Sequence, residues 1–197
     1  MAIGVVACNP LNGTVFYKEY QTMKDNQFAL TWEDPGTISL TTQQEMQMMC
    51  VDAFVSQYRA SGSFSEFSDE KLKEILIDYF MKSIQPRFVL DGKQYFLSAR
   101  FNGKLIGFIF WESLDKERAY VAELAIAKDY WRQGLGKILM NTIFDKKPLT
   151  KKIVLLTEHE NKGAQNFYEA LGYKASDYMH DGYSAEKFRA YELVINN

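Results

Sequence analysis

Gly134 and Gly136 stand two residues apart where a strand-like run gives way to a helical pattern, in the stretch ELAIAKDYWRQGLGK over residues 123–137. The first N–H groups of a helix lack intrahelical partners and its dipole is positive there, so an anion is stabilised. Glycine lets the backbone approach a phosphate closely, and Arg132 and Lys137 flank the turn with positive charge. Residue types and spacing describe a phosphate or pyrophosphate cradle, against the plainer reading of a strand-to-helix turn. Two other nucleotide loops do not fit. A G-x-x-x-x-G-K-S/T loop needs glycine where Trp131 stands and a hydroxyl where Ile138 stands. A dinucleotide G-x-G-x-x-G needs glycine in place of Leu139.

A second stretch, TEHENKGAQNFYEALGY over residues 157–173, follows the continuous apolar run Ile153–Leu156. Together the two stretches resemble the GNAT superfamily of acyl-CoA-dependent N-acetyltransferases. That family pairs Q/R-x-x-G-x-G/A with a downstream N-x-x-A-x-x-F-Y-x-x-x-G-F/Y. Asn161, Ala164, Phe167, Tyr168, Gly172 and Tyr173 match every anchor of the second pattern. The first departs at its opening position, where Trp131 replaces Gln or Arg and Arg132 follows. The resemblance covers about residues 95–195. It implies an α/β GNAT fold: a mixed, mostly antiparallel twisted sheet with helices on both faces. A V-shaped splay would open between two parallel central strands, those ending near Ala127 and Leu156.

The same resemblance implies roles. The pantetheine arm of acetyl-CoA would pair with backbone groups of Leu124, Ala125 and Ile126 like an added strand. Amides of Gln133, Gly134, Leu135, Gly136 and Lys137 would hold the pyrophosphate, with Arg132 beside them. Asn161 would hydrogen-bond the pantetheine, and Phe167 belongs to the same cofactor-side set. Tyr168 would protonate the departing thiolate; a core tyrosine is the alternative. An amide near Ile126 would polarise the thioester carbonyl. Glu123 is the candidate base. Its neighbours Val121 and Ala125 point the same way, which puts the carboxylate on a largely apolar face where burial would raise its pKa; a carboxylate at a wet sheet edge is the alternative. Glu112, Glu158 and His159, at other strand ends, are the runners-up. The implied reaction is direct attack of a primary amine on acetyl-CoA in a ternary complex, with no covalent enzyme intermediate. A non-catalytic acyl-CoA-binding module on the same fold is the competing reading.

The rest of the chain must position these residues. Its 197 residues are 47% hydrophobic and 24% charged, ordinary values for one globular domain. Residues 1–93 read as an acceptor-side region and 94–197 as the acetyl-CoA-binding core. With 23 basic and 25 acidic residues the net charge is −2, so binding dominated by nucleic-acid backbone is not expected. No apolar run approaches the ~20 residues of a spanning helix. Two cysteines and two histidines make a metal site improbable and fit a reducing, cytoplasmic compartment. The start, Met1 to Cys8, reads as a surface strand or loose N-terminus rather than a lipoprotein leader, since no Lys or Arg precedes the apolar stretch.

Periodicity then predicts short strands at Thr14–Tyr20 and Phe28–Trp32 and a helix over Thr42–Tyr58, with a loop over Arg59–Ser68. A second helix capped by Ser68 presents Leu72, Ile75, Leu76, Tyr79 and Phe80 on one face. A hairpin over Tyr95–Trp111 turns at Asn102-Gly103. A strand over Arg118–Ala127, a helix over Gly134–Phe144, a strand over Ile153–Leu156 and a helix over Asn161–Leu171 follow. Strands over Tyr173–Met179 and Arg189–Ile195 close the chain. Glu66, Asp69 and Glu70 either attract a cationic amine or serve as cap and surface charges. Tyr178, His180 and Tyr183 either line a substrate mouth or form the seam of a homodimer.

Overall fold

The computed structural model describes residues 18–23, 26–87 and 92–195. The expected N-terminal segment Met1–Cys8 and the first part of the expected strand at Thr14–Tyr20 lie outside the described residues. Eight strands form one sheet in the order β1-β2-β3-β4-β5-β6-β8-β7. They are β1 (Lys18–Met23), β2 (Asn26–Glu33), β3 (Gln94–Phe101), β4 (Lys104–Ser113), β5 (Arg118–Ile126), β6 (Lys152–Glu158), β7 (Lys174–Ser176) and β8 (Phe188–Val194). Only β5 and β6 run parallel; every other pairing is antiparallel. The mixed, mostly antiparallel α/β sheet expected from the sequence is what forms.

Helices cover both faces. On one lie α1 (Leu40–Ser61) and α2 (Asp69–Tyr79). There Met46, Met49 and Cys50 meet Phe96, Phe108, Phe110 and Ala125 of the sheet. On the other, α3 (Leu135–Lys146) and α4 (Lys162–Ala170) set Leu135, Leu139, Ile143 and Tyr168 against Ile109, Trp111, Val121, Ile153 and Leu155. Local chemistry starts and stops these elements. Ser39 Oγ accepts from Thr42 N at 3.1 Å and Ser68 Oγ from Lys71 N at 3.2 Å, each capping its helix. The β3–β4 turn holds Asn102 and Gly103 at φ 50° and 80°, the left-handed pair that a two-residue hairpin requires. Ser68→Ala removes the α2 cap and is expected to cost about 1 kcal/mol, read as a lowered urea midpoint with unchanged slope.

Three expectations change. Ile75 and Tyr79 are 42% and 39% exposed, and the buried face of α2 is Leu72 and Leu76. Past Tyr79 the coil widens, with Gln85 N–H bonding back to Phe80 O, and this wide turn carries Phe80 and Ile84 into the core instead. The Arg59–Ser68 loop is shorter than expected because α1 continues to Ser61. The strand expected over Tyr173–Met179 is confined to β7, ended where Ser176 Oγ accepts from Tyr178 N at 3.2 Å.

Most consequential is a bulge in β5. Phe110 lies opposite Glu123 but Trp111 lies opposite Val121, leaving Ala122 as an extra residue. Val121 therefore packs among the α3–α4 core, while Ala122 and Ala125 face α1. The expectation that Val121 and Glu123 share a face fails for this reason. Glu123 and Ala125, two apart with no irregularity between them, do share one.

Candidate active site

The two parallel strands diverge. Pairing of β5 with β6 runs from Arg118↔Lys152 to Val121↔Leu155, yet β5 continues to Ile126 and β6 to Glu158. Along the open edge the alternation of an antiparallel pair decides which groups are available. Ala127 N–H donates to Ile106 O at 2.9 Å, so Ala125, two residues earlier, also pairs with β4, and Leu124 and Ile126 turn their N–H and C=O toward the gap. Of the three residues expected to meet an incoming arm, Ala125 has its backbone taken up by Phe108. Leu124 keeps its N–H and C=O at the opening and Ile126 its N–H, the Ile126 carbonyl already accepting from Trp131 Nε1 at 2.6 Å.

Beyond Ile126 the chain makes a braced turn. Lys128–Tyr130 form one 3-10 turn, Trp131 N–H donates to Lys128 O at 3.1 Å, and Gln133 Nε2 donates to Asp129 O at 2.7 Å. Arg132 and Gly134 are both left-handed, at φ 59° and 92°. α3 starts at Leu135 without any side-chain cap at Gly134. Its first internal bond is Ile138 N to Gly134 O, 3.1 Å, so the amides of Leu135, Gly136 and Lys137 have no intrahelical acceptor. Arg132 and Lys137 are exposed beside them, while the Leu135 side chain anchors the turn at 1% exposure.

Gly136 joins the two sequence stretches physically. A Cβ there would sit 2.9 Å from Phe167 Cζ on α4, so the aromatic ring reaches the cradle only over a glycine. Gly136→Val pushes the ring and the first turn of α3 apart and is expected to raise the acetyl-CoA KM by about tenfold or more, with a smaller effect on kcat. Steady-state kinetics alongside a urea melt check this; an unchanged KM in a folded variant counts against the cradle. Gly107 is under a similar constraint, with a Cβ falling 2.8 Å from Ile126 Cδ1 and 3.1 Å from Leu135 Cδ2.

Asn161 is the N-cap of α4, its Oδ1 accepting from Ala164 N at 2.9 Å. That fixes the side chain and leaves the amide NH2 as the group able to meet a ligand. Gln165, buried, donates from Nε2 to Glu158 O and His159 O at 3.0 and 2.8 Å, clamping the loop that leads into α4. Tyr168 is 8% exposed among Phe167, Tyr173 and Tyr191. Burial, then the charge of Glu123, pushes its phenol well above the ordinary tyrosine value. The same pair of causes raises the Cys50 thiol on α1. The Glu123 carboxylate thus lies in electrostatic reach of helices on both sides of the sheet, where the splay begins.

The runners-up are placed otherwise. Glu158 accepts from Gln57 Nε2 at 2.7 Å and from Tyr58 Oη at 2.9 Å, tying β6 to α1. Burial and then that carboxylate push the Tyr58 phenol upward. His159 Nε2 lies 2.8 Å from Ala185 O. Glu112 stands opposite Tyr120 on β4 and its charge acts on Tyr178. Asp69 pairs with Arg59 at 2.7 Å. The Glu70 carboxyl is held below its usual range first by a backbone N–H and then by Ser68. These two are cap and ion-pair groups. Tyr178 Oη meets His180 Nδ1 at 2.9 Å, and the His180 ring stacks on Tyr120 of β5 at 4.1 Å. Tyr183 stands 6.1 Å from His180 and edge-on to Phe188. Sequence reasoning did not anticipate the Gln57–Tyr58–Glu158 tie or the Gln165 clamp, since both depend on partners that no local pattern announces. Among the described residues no group of three His, Cys, Asp or Glu is placed to hold a metal ion, and no helix is long and apolar enough to cross a membrane.

Fold and site define an α/β protein with an uncapped helix start just after a strand and an open strand edge leading inward from it. The chain belongs to the acetyltransferase (GNAT) family, whose sequence profile matches residues 52–173, from the middle of α1 to the start of β7. It is 31% identical over 120 residues to N-alpha-acetyltransferase 30 of Schizosaccharomyces pombe, spanning 54% of this chain and 80% of that protein. PaiA N-acetyltransferase of Thermoplasma acidophilum, solved with coenzyme A, is similar in fold. Its TM-score is 0.62 over 84% of this chain and 99% of that one, at 18% identity. An acetyltransferase of the GNAT family from Staphylococcus aureus Mu50 gives a TM-score of 0.59 over 85% and 100% of the two chains, at 16% identity.

Proposed function

We propose that this chain transfers an acetyl group from acetyl-CoA to a primary amine within a ternary complex. The observation that carries the reading is the continuous path from the open amides of Leu135, Gly136 and Lys137 to the gap-facing groups of Ile126 and Leu124. An arm running inward from the cradle meets Ile126 N–H, then Leu124 C=O and Leu124 N–H. The two amides of pantetheine offer acceptor, donor and acceptor in that order. Because the arm takes up both Ile126 N–H and Leu124 N–H, a donor for the thioester carbonyl lies further inward, toward the Ala122 bulge, and not at Ile126. Tyr168 and Glu123 border the inner end. The amine lone pair attacks the thioester carbonyl while Glu123, directly or through water, takes the amine proton. The C–S bond breaks, and Tyr168 gives its proton to the thiolate. The products are an amide and free CoA, and the phenol regains its proton from Glu123 or solvent.

Free thiol released from acetyl-CoA, screened over an amine panel, tests this. The panel leads with peptides bearing free α-amines, because the Schizosaccharomyces pombe relative is by name an N-alpha-acetyltransferase, and continues with polyamines and amino acids. Acceptor-dependent thiol release is the expected result. Tight acetyl-CoA binding with no release for any acceptor would assign the chain to acyl-CoA sensing instead.

A further inference from the structure

Trp131 occupies the position where the family pattern carries Gln or Arg, and its indole is 41% exposed. Its Nε1–H donates to Ile126 O at 2.6 Å. That carbonyl is the outermost group of the strand edge facing the gap, so the indole closes the edge just beyond the last donor open to an incoming arm. The ring is therefore fixed against the end of β5, four residues before the first helical residue of α3. In coenzyme A, the segment linking the first pantetheine amide to the pyrophosphate is the pantoyl unit, whose quaternary carbon bears two methyl groups. That dimethyl carbon is the branched, apolar point of the arm, and the next carbon carries a hydroxyl.

Resting on the acetyl-CoA reading above, we propose that Trp131 is a binding residue for the pantoyl segment. Its indole N–H fixes the outer limit of the open β5 edge and its exposed face covers the dimethyl branch. The contact replaces the polar side chain that the family pattern places there with an apolar wall. The anchor matters because an indole swinging freely would lose side-chain entropy on binding, whereas this one is oriented before the ligand arrives.

The test uses the whole chain and two probes, CoA and adenosine 3′,5′-bisphosphate, which shares the nucleotide end but lacks the pantoyl unit. Of the three tryptophans, Trp111 is fully buried and Trp32 is half-buried beneath Lys146. Trp131 thus dominates collisional quenching by acrylamide. CoA is expected to protect the indole from acrylamide and the bisphosphate is not; Trp131→Phe abolishes the CoA-dependent change. Trp131→Ala is expected to weaken CoA by about tenfold and Trp131→Phe by less, both leaving the affinity for the bisphosphate unaltered. Protection by the bisphosphate alone would move the indole to the adenine and overturn the assignment. So would a parallel loss of bisphosphate affinity in both variants, which would make Trp131 a brace for the loop. Absence of any CoA binding by the unaltered chain would fail the acetyl-CoA reading itself, a result these variants cannot produce.

Discussion

Tyr168→Phe is expected to lower the single-turnover rate of thiol release by ~10²-fold or more, while acetyl-CoA binds as before. The site explains the direction. Burial and the neighbouring Glu123 charge keep the phenol protonated well beyond the ordinary tyrosine range, so at neutral pH it can only donate. A thiolate leaving into the same apolar surroundings gains most from a donor already in place, because an unpaired charge there is poorly solvated. The substitution is also a clean one. Phenylalanine keeps the packing against Phe167, Tyr173 and Tyr191. The thermal midpoint should stay within a few degrees. A single-turnover rate equal to that of the unaltered chain would remove Tyr168 as the acid and leave water to protonate the thiolate.

Particular residues show why some of this was legible in the sequence and some was not. Ser68, Asn161 and the Asn102–Gly103 turn act on neighbours within three residues, and such chemistry reads directly from a linear pattern. The turn at 134–136 was legible for a related reason: Gly134 takes a left-handed φ of 92°, and Gly136 leaves room for the Phe167 ring. The bulge at Ala122 was not. Val121, Ala122 and Glu123 alternate like any half-buried strand, and the extra residue appears only against the pairing partner on β4. That non-local fact moved Val121 to the opposite face, while Ala125 leaves the open edge by ordinary alternation whose phase only the pairing with β4 sets. Trp131 is the subtler case. From the pattern it reads as a missing polar contact, whereas its tie to Ile126 depends on the path of the braced loop between them. Ile75 and Tyr79 fit a helical stripe that the wide turn after Tyr79 then shifts.

Glu123→Gln tests the proposed base against the remaining carboxylates, because the substitution is expected to act on both limbs of the pH–rate profile. A base must be ionised to accept the amine proton, so kcat/KM falls on the acidic side as the carboxylate protonates. Glutamine cannot titrate. The acidic limb is expected to flatten and the plateau to drop by about 10²-fold or more. The basic side carries a second signature. Glu123 is a cause of the raised Tyr168 phenol, after burial. Removing its negative charge makes phenolate formation easier, so the Tyr168 pKa falls and any basic limb set by loss of the phenol proton moves to lower pH. Burial persists in the variant, which keeps that movement modest. Glu158, with both oxygens engaged by α1, and Glu112, whose charge acts on Tyr178, sit where neither limb would respond in this paired way. Rates of thiol release measured against pH for the unaltered chain, Glu123→Gln and Glu158→Gln decide the matter. An acidic limb that survives in Glu123→Gln and disappears in Glu158→Gln would transfer the proton-accepting role to the end of β6.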